Sequence, residues 1–80
     1  MSRLPAVSPG LMIKFLTEIG FKKSRQHGSH IFFRRADGRT TTIPFHQGED
    51  LSRGLTNKIL HDIDISRGEF LTWLAPHHKS

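Results

Sequence analysis

The sequence contains no cysteine. That excludes disulfides and thiolate-ligated metals, and it fits a reducing compartment without requiring one. No apolar run approaches the ~20 residues of a membrane-spanning helix. The segment from Met1 to Val7 lacks the apolar centre of a secretory signal. These absences lead us to expect a soluble, cytoplasmic protein with no membrane attachment. Repeats, linkers and low-complexity segments are also missing, so the 80 residues should form one domain. A chain of this size buries about 60–65% of its unfolded surface, enough for one small core. No cofactor is expected, because a large organic group would have little to sit in.

Acid is scarce where base is dense. Lys and Arg number 12 against 7 Asp and Glu, a formal charge of +5 with histidines neutral. Lys22, Lys23, Arg25, Arg34, Arg35 and Arg39 fall in one central region, where Asp37 is the only acid. The last third is mixed, with Glu49, Asp50, Asp62, Asp64 and Glu69 offsetting its bases. Clustered positive charge favours a nucleic acid or an acidic protein partner. The plainer alternative is a solvated strand face.

The elements follow from local signals. Ser8 as N-cap and Pro9 behind it open a helix. Leu11, Met12, Phe15, Leu16 and Ile19 recur on one face, and Gly20 follows its end. Phe21 to Gln26 reads as a basic edge strand. His27-Gly28-Ser29 reads as a turn, and His30 to Arg35 as a second strand rich in aromatic and branched residues. Asp37-Gly38 predicts a tight two-residue hairpin, and Arg39 to Ile43 a third strand ended by Pro44. Alternation puts His30, Phe32 and Arg34 on one side, and Ile31, Phe33 and Arg35 on the other. Both sides carry apolar groups, so alternation does not say which one meets the helices. A second helix starts near Ser52 or Arg53, with Leu55, Ile59, Leu60 and Ile63 as its stripe. Ser66-Arg67-Gly68-Glu69 is a capping box for a last helix carrying Phe70, Leu71, Trp73 and Leu74, which Pro76 should stop. The predicted order α-β-β-β-α-α is an α+β two-layer design, a three-stranded antiparallel sheet with helices on one face. Double-stranded-RNA-binding domains share that order.

The stretch Arg25-Gln26-His27-Gly28-Ser29-His30 stands out. Taken with Gly20-Phe21, Asp37-Gly38-Arg39, Ile43-Pro44-Phe45-His46, Gly54-Leu55 and the closing capping box, it resembles the HicA family of toxins. The resemblance covers about Ser8 to Leu74. It implies a small mRNA interferase with a fold like that of double-stranded-RNA-binding domains, silenced by a HicB antitoxin encoded alongside. It places the family's active histidine on His30 and assigns His27 no role. Residues 1–7 and 75–80 lie outside the resemblance and are expected to be flexible ends.

The chemistry of such a site is simple to state. RNA carries its own nucleophile, the 2′-hydroxyl, so cleavage needs a base for that hydroxyl, an acid for the leaving 5′ oxygen and positive charge for the phosphate. Histidine suits either proton transfer, since its unperturbed pKa is about 6.5. We therefore expect His30 as the central catalytic residue and His46, at the end of the third strand, as a possible second acid or base. The bland alternatives are a strand histidine bonded locally for His30, a loop contact for His46 and a polar turn residue for His27. Ser29 or the Gly28 amide would contact a phosphate oxygen. Lys22, Lys23, Arg25, Gln26, Arg34, Arg35 and Arg39 are the other expected RNA contacts. No metal is expected, because His27 and His30 alone are too few ligands. The competing readings are a non-catalytic double-stranded RNA-binding module and a protein whose basic surface only docks an acidic partner.

Overall fold

A serine and a proline set the first helix. The computed structural model describes residues 4–77. In α1 (Pro9–Glu18), the Ser8 hydroxyl accepts the Leu11 N–H at 3.1 Å. The face carrying Pro9, Met12, Phe15 and Leu16 is buried. The helix closes at Ile19, and the Gly20 N–H donates to the Thr17 carbonyl at 3.2 Å.

Three antiparallel strands follow in the order β1-β2-β3: β1 (Phe21–His27), β2 (His30–Arg35) and β3 (Thr40–Pro44). Ile31 and Phe33 of β2 and Thr41 and Ile43 of β3 are buried, while His30, Arg34 and Thr40 are exposed. This settles which side of the sheet meets the helices. The buried set joins Met12, Phe15, Leu16, Ile59, Leu60, Phe70 and Leu74 in one core. The second strand starts at His30 as the sequence predicts, and the first runs one residue further than Gln26. His27 belongs to β1 and leaves a loop of only Gly28 and Ser29.

The second hairpin is a correction. Its loop is Ala36-Asp37-Gly38, not the tight two-residue type. The Arg35 N–H donates to the Arg39 carbonyl and the Gly38 N–H to the Arg35 carbonyl, both at 2.9 Å. Only Gly38 takes a positive φ, +99°, so the Asp37-Gly38 pair cannot make a turn that needs two such residues. Asp37 instead caps the loop from within, accepting the Arg39 N–H at 3.2 Å.

Helix α2 (Arg53–Asp62) starts from Ser52, whose hydroxyl accepts the Leu55 N–H at 3.1 Å. It ends in a Schellman motif. Ile65 N–H reaches the Leu60 carbonyl at 3.0 Å and Asp64 N–H the His61 carbonyl at 3.2 Å. Helix α3 (Arg67–His77) opens with the expected capping box. Glu69 N–H donates to Ser66 Oγ, and Ser66 N–H to Glu69 Oε1, both at 3.1 Å. The helix continues one residue past Pro76, which was expected to stop it. Phe70 and Leu74 are buried, and Trp73 Nε1 donates to Glu18 Oε1 at 2.7 Å.

Residues 4–7 also need correcting. They were expected as a flexible end, yet Leu4 and Val7 belong to the core. Val7 forms an antiparallel bridge with Leu51, whose N–H donates to the Val7 carbonyl at 2.7 Å. The expected frayed tail falls partly on residues 78–80, which lie outside the described residues.

Candidate functional site

The open side of the sheet carries the residues of interest because of one extra residue in β1. Register runs Phe21↔Arg35, Lys22↔Arg34, Lys23↔Phe33, then skips Ser24 and resumes Arg25↔Phe32, Gln26↔Ile31, His27↔His30. Side chains alternate faces along a strand, so a bulge reverses the face of every residue beyond it. Without it Arg25 and His27 would point to the helix side. With it they join His30, Phe32 and Arg34 on the open face. Ser24 Oγ donates to the Phe32 carbonyl at 3.2 Å, which holds the bulged residue against the next strand.

Continued through β3, the register gives three rows: His27–His30–Pro44, Arg25–Phe32–Thr42 and Lys22–Arg34–Thr40. Lys22, Arg25, His27, His30, Arg34 and Thr40 are exposed; Phe32, Thr42 and Pro44 are half-buried. The Arg25 guanidinium lies 4.6 Å from the centroid of the Phe32 ring, a cation–π contact. None of the 7 acidic residues of the chain stands in these rows. A surface with this much positive charge and no acid attracts a polyanion.

The turn is rigidly tied. Gly28 takes φ +62° at the first loop position, where a two-residue hairpin favours glycine. Its carbonyl accepts from Gln26 Nε2 at 3.0 Å, and Gln26 Oε1 in turn accepts from Lys23 Nζ at 3.0 Å. The Ser29 carbonyl accepts the Phe45 N–H at 2.7 Å, which ties the turn to the exit of β3. His30 opens the central strand and is flanked by backbone on both sides. Among the described residues its imidazole makes no hydrogen bond or ion pair, so the local-bond alternative finds no partner.

The other expected contacts divide. His46 follows Pro44 into the loop at the same end of the sheet as His30. It is exposed and lines a cleft with Ser8, Gly10, Phe45, Glu49 and Asp50. Lys23 and Gln26 sit in register with Phe33 and Ile31, on the helix side of the edge strand. Arg35 and Arg39 are not brought to His30 at all. Arg35 Nε donates to the Ile19 carbonyl at 2.8 Å and its Nη1 to Asp37 Oδ2 at 2.7 Å. Arg39 Nε reaches the same carboxylate oxygen at 2.8 Å, and its Nη1 donates to the Ile63 carbonyl. These two guanidiniums clasp the hairpin to the ends of α1 and α2. The Arg39 N–H, together with the guanidiniums of Arg35 and Arg39, holds the Asp37 carboxyl below its ordinary value of 3.8.

Phe32 escaped the list of site candidates, although alternation already placed it beside His30 and Arg34. The pairing of His27 with His30 escaped it too, because no local signal marks the bulge at Ser24.

Among the described residues no three His, Asp or Glu side chains converge to hold a metal ion. No helix among them is long and apolar enough to cross a membrane. A family model described as the HicA toxin of bacterial toxin–antitoxin systems matches residues 12–65, a span that contains both His30 and His46. No curated protein matches the sequence.

Proposed function

Since the chain belongs to the HicA family of toxins from bacterial toxin–antitoxin systems, we propose that it is an endoribonuclease that cuts mRNA with His30 as its central acid–base group. The observation that carries this reading is an exposed imidazole at the end of the central strand, on a cationic face whose rows hold no acid, with no hydrogen bond or ion pair among the described residues. Lys22, Arg25 and Arg34 supply charge for the RNA backbone. The Gly28 amide and Ser29 lie at the turn beside His30, where a phosphate oxygen can approach the backbone.

The reaction needs only what RNA and these residues provide. A ring nitrogen of His30 takes the 2′-hydroxyl proton. The 2′ oxygen attacks the adjacent phosphorus, the bond to the 5′ oxygen breaks, and the 5′ oxygen takes a proton from a second acid group or from water. The products are a 2′,3′-cyclic phosphate and a free 5′-hydroxyl. A well-placed acid–base group is worth about 10²–10⁴ in rate. Membership of the family implies an antitoxin partner. We propose that a HicB-type antitoxin acts in the cytoplasm by covering the turn and the cationic rows.

The test is His30→Ala. The substitution should leave the circular dichroism spectrum and RNA affinity intact and abolish cleavage of labelled mRNA. Full activity in the purified variant would refute the reading. So would equal cutting of a strand lacking 2′-hydroxyls, or loss of cutting in EDTA. Tight binding with no product from the unaltered protein at any pH would favour the non-catalytic RNA-binding module.

A further inference from the structure

His27 is the last residue of β1, at the edge of the turn. The register pairs it directly with His30 across the two strands, and both are exposed on the same face. Directly opposed residues hold their Cβ atoms about 4.5–5.5 Å apart. Two imidazoles on such a base can splay around one phosphate and reach oxygens on its opposite sides. Gly28 and Ser29 form the shortest common hairpin loop, so the spacing between the two rings is held by the backbone. The bulge at Ser24 is what puts His27 on this face.

We propose that His27 is the second proton-transfer group, the general acid that protonates the leaving 5′ oxygen while His30 accepts the 2′-hydroxyl proton. This rests on the reading of His30 as catalytic. The step balances. The O2′–P bond forms and the P–O5′ bond breaks. One proton moves from O2′ to His30 and another from the His27 imidazolium to O5′. Exchange with solvent resets both rings. The groups facing them are Arg25 in the next row and Pro44 on the far side of His30, and no carboxylate stands in these rows to trap a proton. His46 lies beyond Pro44, outside the paired row, and lines a cleft with Glu49 and Asp50.

The experiment measures kcat and KM against pH for the unaltered protein, His27→Ala and His30→Ala. Two substrates are used: an RNA oligonucleotide, and a nucleoside 3′-(4-nitrophenyl phosphate), whose leaving group departs without an acid. The unaltered protein should give a bell-shaped profile on RNA. His27→Ala should lose about 10²–10⁴-fold in kcat on RNA, with KM little changed and the high-pH limb gone. It should recover most of its activity on the aryl ester. His30→Ala should be dead on both. An unchanged profile in His27→Ala, or equal losses on RNA and aryl ester, would overturn the role of His27 and leave that of His30 standing. Activity in His30→Ala would instead remove the premise.

Discussion

Four arginines of the basic region divide into two pairs with opposite expected effects. Arg25 and Arg34 stand on the open face and have no acidic partner there. Arg35 and Arg39 are bound to Asp37 and to the carbonyls of Ile19 and Ile63. In a His30→Ala background, so that RNA survives, the double variant Arg25→Ala/Arg34→Ala removes two phosphate contacts. Each contact contributes about 0.7 to the slope of log K against log salt for a single strand. The slope should therefore fall by about 1.4, and the affinity lost relative to the parent should be about sevenfold larger at ~50 mM than at ~200 mM salt. Stability should drop by no more than about 1 kcal/mol, the value of the cation–π contact to Phe32. Arg39→Ala acts the other way. It leaves the Ile63 carbonyl, at the end of α2, without its charged donor, a loss of about 1.5–2 kcal/mol. For a domain of this size that lowers Tm by about 6–15 °C. RNA affinity well below the transition should be unchanged. Fluorescence anisotropy across a salt series and thermal melts followed by circular dichroism give both numbers for each variant. A fall in salt slope for Arg39→Ala as large as that of the double variant would refute the division, as would unfolding of the Arg25/Arg34 variant.

Thr56 is fully buried in α2, and its hydroxyl has no partner among the described residues. Thr56→Val keeps the shape and removes the desolvated hydroxyl, so urea titration should show a gain of about 1–2 kcal/mol; a loss would mean the hydroxyl is satisfied. Asp64 takes φ +59° at the end of α2, where glycine is favoured. Asp64→Gly should raise stability by about 0.5–1 kcal/mol in the same titration, and a fall would show that the aspartate side chain contributes more than its backbone costs. The Asp37 carboxyl is held below its ordinary value of 3.8, so the stability it adds is present above that pH and is lost as pH falls further. The stability gap between the unaltered protein and Asp37→Asn should therefore be constant from pH 7 to about 5 and shrink below about 4. A gap independent of pH in acid melts would contradict the arginine clasp.

Much of this architecture was legible one residue at a time. Ser8, Ser52 and the Ser66–Glu69 box each mark a helix start through a hydrogen bond that spans only three residues. The strands followed from branched and aromatic runs broken at glycines. The proposal for His30 starts from a motif and not from a contact. The hairpin after β2 was misread because Asp37-Gly38 also suits a longer loop, and the choice depends on the Asp37 carboxylate meeting two arginines. Leu4 and Val7 were misread because a short apolar segment carries no sign of the Leu51 bridge that holds it.

Order, strand content and charge are therefore properties of this sequence read locally. Which face the cations occupy is not. A strand alternates with period two, so a single unpaired residue at Ser24 reverses everything after it. Only pairing with β2 decides where that residue is inserted. That same pairing turns Arg25 onto Phe32, sets His27 beside His30, and leaves Arg35 and Arg39 to fasten the hairpin to the helices.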